Sequence, residues 1–565
     1  MNKPYALYNQ APEFKTMREL LLNRTSQFGP AVAFSFREQG MSSEKISITF
    51  SAFRRSVIAL GTEFYRRGMA NAHCALVGKL SYDWILTYMA LLSIGGVLVP
   101  LDPDWPAAEL GDVVKNADCS YLVCDASIDA EAVAKTASIK TENIFSTNGG
   151  TYTTVSELIA MGQKKRATRD TAFDDAEIDP QKLSLLVYTS GTTGKGKGVM
   201  LTQKAILSNV ANALKILTAG KKFVAVLPPH HTFGSTISLV APFCLGSEVY
   251  LSAGVKYVQR ELHDEKPDSL ILVPLYLEAF YRKIQSTLRE RNKTKLVNTM
   301  IGVSNTAKKV GVNLSDKLFA AILAPFGGKL KTIASGGAPL SPEIFDFFTS
   351  IGITLINGYG ITECAPLISA NRNRHIVRGT VGMPIPCDKV KIDSPDENGE
   401  GEICVKGPNV MLGYYKDEEA TRAVIDAEGW FHTGDIGRFH ESGYLCITGR
   451  LKNLIILSNG KNVYPEEIET VLASIPGVEE VVVYEGVSRE EFTGNKIVAE
   501  IYPNETFLKE KGIEDVQAHF MPYINDYNRN AIPYKKIGIL KLRGEPFPKN
   551  TLRKIVRFKI DRSID

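Results

Sequence analysis

Short apolar runs alternate with longer stretches of helical periodicity through the middle of this chain, and that alternation admits few folds. The runs at 183–188, 223–227, 269–273, 332–335 and 353–356 have strand length, while 203–217 and 275–289 space their apolar residues three and four apart. Strand, helix and strand in succession is the pattern of parallel sheets covered by helices, so the expected class is α/β. Beyond about residue 382 the texture changes to short strands with frequent turns, at 389–392, 401–406 and 443–447, which predicts a small antiparallel or β-barrel-like subdomain. After Arg450, strand signals at 453–457 and 479–484 flank a helix that opens at Pro465 with Glu466 and Glu467 in its first turn. The expected organisation is a large N-terminal domain, 1–450, and a smaller α+β C-terminal domain, 451–565.

A chain of 565 residues exceeds what one hydrophobic core supports, which agrees with two domains and leaves room for a cleft. The net charge of +4 is small, and much of the excess sits at 534–562, where Lys535, Lys541, Arg543, Lys549, Arg553 and Lys554 cluster. A local basic surface suits phosphorylated small molecules; without a stronger imbalance or a binding motif, a nucleic-acid partner is not expected. Eight cysteines without a CxxC pair read as buried thiols of a reducing compartment, and the N-terminus shows no signal peptide, so the expected location is cytoplasmic. The apolar stretch 84–99 holds Thr87, Ser93 and Gly95-Gly96 and runs into Pro100, which reads as a buried helix leading into a strand. Peripheral contact with a membrane is compatible with this composition. The charged stretch 290–316 reads as a helical insertion or a mobile excursion.

The strongest local signal is YTSGTTGKGKG, 188–198, directly after a strand and before a helix-like segment. Its glycines let main-chain N–H groups approach an anion, Ser190, Thr192 and Thr193 add hydroxyls, and Lys195 and Lys197 add charge, so a phosphate cradle is expected in preference to a flexible linker. Gly191, Gly196 and Lys197 also fall on the GxxxxGK of a Walker A loop, but Gly198 stands where that motif needs a magnesium-binding hydroxyl.

The loop resembles the TSGTTGxPKG signature of the adenylate-forming (AMP-binding) superfamily, with Gly196 in place of the usual proline, and further motifs follow in that family's order. The resemblance assigns Thr189, Ser190, Gly191, Thr192, Thr193, Gly194 and Lys197 to the phosphates. LPPHHTFG, 227–234, resembles the segment bordering the acyl pocket and implicates His231. SGGAPL, with Gly336, Gly337 and Ala338, offers small residues for a flat purine to lie against. NGYGITE supplies Asn357, Gly358, Tyr359 and Gly360 on the adenine side, and by resemblance Thr362 at the α-phosphate and Glu363 as the magnesium ligand. In GWFHTGD, Asp435 matches the ribose clamp partnered by Arg450; a structural ion pair between the two is the alternative reading. Lys452 matches the hinge about which the family's mobile C-terminal domain rotates, and Gly460 the loop that meets the phosphopantetheine arm of coenzyme A. FPKNTLRKIVRF, 547–558, resembles the segment with the catalytic lysine; Lys554 aligns with it, with Arg553 replacing the usual glycine and Lys549 nearby.

What the resemblance implies is an ATP-dependent acid–thiol ligase that forms an acyl-AMP and transfers the acyl group to coenzyme A, using Mg2+. GYGITECAPLIS and the stretch 428–453 resemble bacterial long-chain fatty acid–CoA ligases, so a medium to long fatty acid is the expected substrate. An aryl- or short-chain acid ligase, and an enzyme loading an acyl carrier protein, are the alternatives within the fold. A P-loop-type ATPase and a non-catalytic nucleotide sensor are those outside it.

Overall fold

The computed structural model describes residues 9–38, 42–189, 196–309, 312–456, 462–487, 496–549 and 555–564. Two compact units result: Met1–Leu340, Ile344–Lys389 and Val405–Phe431 form the first, and Ser341–Glu343, Val390–Cys404 and His432–Asp565 the second.

The first unit is built on two large sheets. One runs in spatial order through Met383–Pro384, Leu367–Ala370, Thr354–Gly360, Thr332–Ser335, Ser269–Leu272, Lys222–Ala225, Glu248–Leu251, Val32–Phe36 and Ile46–Thr49. The other runs through Gly413–Tyr414, Lys197–Thr202, Leu183–Thr189, Val97–Leu101, His73–Val77, Cys119–Cys124, Ile144–Ser146 and Thr153–Thr154. Their central pairings are parallel, as helix-joined strands require, and the five runs read from the sequence all fall on them. The stretch 84–99 is the helix Tyr82–Leu92, N-capped by Ser81, leading into the buried strand Val97–Leu101. No helix among the described residues is long and apolar enough to cross a membrane. The charged stretch after residue 290 is helical over Thr294–Lys309, and its Val297 joins Leu288, Leu277 and Leu272 in one buried cluster. It is therefore a helix with its own foothold in the core.

Helix Phe50–Arg66 shows how the sheets are covered. Thr49 caps it, and Phe50, Phe53, Val57, Leu60 and Phe64 bury one stripe at three- and four-residue spacing. Against it packs helix Val155–Ala167, which opens on a capping box of Thr154 and Glu157. Between them the buried Glu63 carboxylate takes Arg67 Nε at 2.8 Å and is closed by Lys165. The helices approach so closely that a β-carbon at Gly162 would lie 1.9 Å from the Ala59 carbonyl oxygen.

Most of the second unit's first part is a four-stranded sheet of the short strands Lys389–Asp393, Gly401–Lys406, Phe431–Phe439 and Leu445–Arg450, in that spatial order. Among the described residues no pairing joins its outer strands, so the barrel-like closure expected from the short strands is replaced by an open sheet. Four strands with this little chain bury one face by packing and have no need of a closed ring. The C-terminal part has the expected α+β character: Val478–Gly486, Lys496–Pro503 and Ile539–Leu542 form a sheet, against which Ile468 and Leu472 of helix Pro465–Leu472 and Phe520 and Ile524 of helix Val516–Asn530 are buried.

Gly162→Ala tests the helix contact. Alanine favours a helix by about 1 kcal/mol over glycine, but forcing a methyl onto a backbone carbonyl costs about 1–3 kcal/mol and needs the helices to part. The expected outcome is a lower urea midpoint; an unchanged or higher midpoint shows that this approach is not tight.

Candidate active site

The phosphate-loop sequence sits in a different local frame from the one its pattern suggests. Strand Leu183–Thr189 does not lead through the loop into a helix; it pairs antiparallel with Lys197–Thr202, Thr189 opposite Lys197 and Tyr188 opposite Gly198, and the helix Gln203–Ile216 begins only afterwards. The helix expected over 203–217 is present as Gln203–Ile216, capped by Thr202; between it and the loop 197–202 alternates onto the sheet, a strand the sequence reading did not place. A Walker A loop opens directly into a helix whose N-terminus faces the phosphates, so the hairpin removes the P-loop reading. Thr189 and Lys197 stand at the two ends of the hairpin; Ser190, Gly191, Thr192, Thr193 and Gly194 lie outside the described residues.

Parallel order brings the purine-side motifs together. Thr332–Ser335 and Thr354–Gly360 are adjacent, with Ser335 in register with Asn357, so 336–338 and 357–360 emerge side by side at the carboxyl ends of their strands. That is where open α/β sheets bind ligands. A β-carbon on Gly336 would lie 3.2 Å from the Gly358 carbonyl oxygen, and Gly337 has φ +85°, so small residues here are a steric requirement. Tyr359 is buried, and Asn357 Nδ2 donates to the Thr380 carbonyl at 3.3 Å.

Thr362 and Glu363 lie on a single helical turn, Thr362–Cys364, that reverses the chain into Leu367–Ala370. This turn is held by side chains the sequence reading missed. Asn209, fully buried on helix Gln203–Ile216, donates its amide to the carbonyls of Cys364 (3.0 Å) and Leu367 (2.7 Å). Asn409, also fully buried, reaches the same two carbonyls at 3.0 and 3.2 Å and Asp388 Oδ2 at 3.0 Å. Met411 N–H donates to the Glu363 carbonyl at 2.8 Å. Tyr414 hydroxyl donates to Glu363 Oε1 at 3.0 Å, and Lys197 Nζ lies 4.6 Å from the centre of the same tyrosine ring. Burial and the Glu363 carboxylate both push the Tyr414 phenol well up from its ordinary value, so it stays a proton donor. Glu363 itself is half-buried.

His231 lies just ahead of a π-helical segment, Phe233–Val240, with its ring 4.2 Å from that of His230. His230 is buried with Nε2 3.6 Å from Asp102 Oδ2, and burial lowers it to about 4, which keeps it neutral. No spacing rule connects positions 102 and 230; they follow strands of the two different sheets and meet only in the folded unit.

In the second unit, strands Phe431–Phe439 and Leu445–Arg450 place Asp435 opposite Arg450, and Nε meets Oδ1 at 2.6 Å with the carboxylate buried. The ion pair of the alternative reading is thus formed. Lys452 is exposed on the short turn Leu451–Asn453. Lys549, a neighbour that competes with Lys554 in the sequence, is engaged by Glu480. Gly460 and Lys554 lie outside the described residues.

Burial pushes the Asp388 carboxyl up to about 7, against the hydrogen bonds from Asn409 and from Cys387. A raised carboxyl makes the folded state bind the extra proton, so stability contributed at low pH is lost as pH rises from the ordinary value of 3.8 through about 7. Asp388→Asn, which cannot ionise, is expected to melt higher than the unaltered protein at about pH 8 and level with it at about pH 4. A gap that does not grow with pH, followed by thermal melts, refutes a titrating Asp388.

Comparison with known proteins agrees with this arrangement. A family model described as AMP-binding enzyme matches residues 23–415. Long-chain-fatty-acid–CoA ligase 5 of Rattus norvegicus is 31% identical over 445 residues, covering 73% of this chain and 65% of that protein, so the alignment spans just under two thirds of the relative. The probable acyl-activating enzyme 16, chloroplastic, of Arabidopsis thaliana is 30% identical over 489 residues, covering 73% of this chain and 68% of the relative. Among solved structures, ATP-bound MatB from Rhodopseudomonas palustris shares the fold with a TM-score of 0.75 at 22% identity, over 96% of this chain and 98% of that one. The o-succinylbenzoate CoA synthetase of Bacillus subtilis, in complex with an acyl-adenylate, does so with a TM-score of 0.71 at 21% identity, over 96% and 97%. With the family model spanning more than half of its length, the chain belongs to the AMP-binding enzyme family.

Proposed function

We propose that this protein is an ATP-dependent acid–CoA ligase acting on medium to long fatty acids, through an acyl-AMP and with release of pyrophosphate and AMP. The observation that carries the reading is the Lys197–Tyr414–Glu363 chain: one phenol joins the lysine at the phosphate-loop exit to a half-buried carboxylate on the turn after the purine-side strand. The fatty acid is supported by the names of the rat relative and of FadD15 from Mycobacterium bovis, a long-chain-fatty-acid–CoA ligase 28% identical over 457 residues.

Attack of a carboxylate on the α-phosphorus of ATP joins two anions, so the barrier is lowered mainly by alignment and by charge placed where it develops. Lys197 supplies positive charge to the phosphates. Glu363 is a hard oxygen donor of the kind that takes Mg2+ together with substrate phosphates, and the donated Tyr414 hydroxyl fixes its orientation. Bound there, Mg2+ would neutralise phosphate charge. Thr362, on the same turn, is assigned to the α-phosphate, and the loop 189–194 with Gly336, Gly337, Ala338 and Asn357–Gly360 to the rest of the nucleotide. Asp435, already paired with Arg450, accepts the ribose hydroxyls. His231 borders the acyl group. Lys554 bridges the acid carboxylate and the α-phosphate in the first half-reaction; the chain from 451 onward then reorients about Lys452, and Gly460 admits the pantetheine arm whose thiol displaces AMP.

A pyrophosphate-release assay with Mg-ATP and a panel of fatty and aromatic acids, with CoA or an acyl carrier protein as acceptor, tests this directly. Acid-dependent pyrophosphate and AMP, with thioester on CoA and fastest for long aliphatic acids, are expected. ADP as product, or release that ignores the acid, overturns the ligase; aromatic preference or carrier-protein acylation overturns only the substrate assignment.

Glu363→Ala is expected to slow adenylation by about 10²- to 10³-fold. Tyr414→Phe removes one hydrogen bond to a charged group, worth about 1.5–3 kcal/mol, so a loss of about 10- to 100-fold with a raised magnesium requirement is expected. Unchanged magnesium dependence in Tyr414→Phe would show that the phenol does not serve the metal-binding carboxylate.

A further inference from the structure

We propose that Glu402, Cys404 and His432 form a binding site for a zinc-class divalent cation, separate from the magnesium carboxylate. Glu402 and Cys404 alternate by two on strand Gly401–Lys406, so they share a face, and His432 comes from the neighbouring strand Phe431–Phe439. One carboxylate, one thiol and one imidazole offer donor atoms that all lie within 4.8 Å of one another. His432 Nδ1 is 2.8 Å from Glu402 Oε2 and 3.4 Å from Cys404 Sγ.

These separations nearly fit a metal. Tetrahedral zinc, with Zn–S about 2.3 Å and Zn–N about 2.0–2.1 Å, spaces nitrogen and sulfur about 3.5 Å apart and nitrogen and oxygen slightly less. The nitrogen–sulfur separation already matches; the carboxylate oxygen needs to back off from the nitrogen by about half an ångström, within reach of a side-chain rotation. Its partner oxygen, Glu402 Oε1, accepts the Gly434 N–H at 2.9 Å, the kind of outer contact that orients a ligating carboxylate. Cys404 is fully buried while the His432 and Glu402 side chains remain 27% and 19% accessible, so the thiol forms a closed floor beneath a mouth open to solvent.

The donor set selects the ion. Thiolate and imidazole favour zinc and its softer neighbours, whereas magnesium takes oxygen ligands and would leave the sulfur unused. Binding displaces the thiol proton and any proton on Nδ1 to solvent, and three protein donors leave a fourth position for water. The ion would also lock strand to strand just ahead of Asp435. Thr433 Oγ1 donates to the Ile403 carbonyl at 2.8 Å, and Asp435 N–H donates to Thr433 Oγ1 at 3.1 Å, so 432–435 already hangs from 402–404 by hydrogen bonds that the metal would reinforce.

The full-length protein, stripped of metal with a chelator, is titrated with Co2+ and with Zn2+ against a chromophoric chelator. One equivalent of Co2+ giving a near-ultraviolet thiolate-to-cobalt band, lost in Cys404→Ser, is expected. Glu402→Gln and His432→Gln are expected to weaken Zn2+ at least about tenfold, and excess Mg2+ not to displace it. Zn2+ should raise the melting temperature of the unaltered protein but not of Cys404→Ser, with apo melts checking that each variant folds. A cobalt spectrum without the thiolate band, or a band that survives in Cys404→Ser and so belongs to another of the eight free cysteines, overturns the site and leaves a hydrogen-bonded triad. None of these readouts uses ligase activity, so the proposal stands or falls apart from the enzymatic one.

Discussion

Two buried side-chain amides converge on two backbone carbonyls, and the turn that carries Thr362 and Glu363 depends on that convergence. A reversal between strands leaves carbonyls with no ladder partner, and each buried polar group left unsatisfied costs about 1–3 kcal/mol. Asn209 from the helix and Asn409 from the loop ahead of Gly413–Tyr414 both satisfy Cys364 and Leu367. Because the amides come from two different elements, the turn is fixed relative to both: to the helix that follows the phosphate hairpin and to the strand that carries Tyr414. The phosphate-loop exit, the Glu363 carboxylate and its phenol partner are thereby held by one polar knot instead of by three independent loops.

That knot explains what was legible in the sequence and what was not. The strand runs at 183–188, 269–273 and 332–335, the helix after Thr202 and the Pro465 helix all emerged where local periodicity and caps placed them, because those signals operate within one or two turns of chain. The strand after the phosphate loop was not placed from the sequence because 197–202 is short, and its identity as a strand is decided by pairing with 183–189. Asn209 and Asn409 left no signal. Their partners lie 155 and 45 residues away, and an asparagine on a helix or in a loop reads as an ordinary polar position until tertiary contact buries it. His230 and Asp102 escaped for the same reason, while His231 was visible through its motif.

Burial raises a second point about the same region. Asp388 answers one of the Asn409 hydrogens with its carboxylate, yet burial pushes that carboxyl up to about 7. An apolar residue there would avoid the desolvation but leave the Asn409 amide only the Cys364 and Leu367 carbonyls, which it already shares with Asn209. The carboxyl can accept from Asn409 whether or not it is ionised, so the knot survives its titration.

The electrostatics of the Lys197–Tyr414–Glu363 chain favour availability over pairing. A direct Lys–Glu ion pair in a half-buried site would satisfy both groups, and nucleotide or metal binding would then have to break it. With a phenol between them the arrangement differs. The lysine is attracted to the ring face, a contact worth about 0.5–2 kcal/mol, while the carboxylate accepts one hydroxyl hydrogen and keeps its remaining lone pairs. Both charges are positioned, and neither is neutralised. On the proposed function, phosphate entering beside Lys197 would exchange a weak cation–π contact for a strong charge-assisted one, and a cation reaching Glu363 would leave the Tyr414 donor in place on the other lone pairs. The tyrosine therefore sets the distance at which Lys197 and Glu363, the two ends of the proposed triphosphate site, are presented, which a flexible lysine and a flexible glutamate could not set alone.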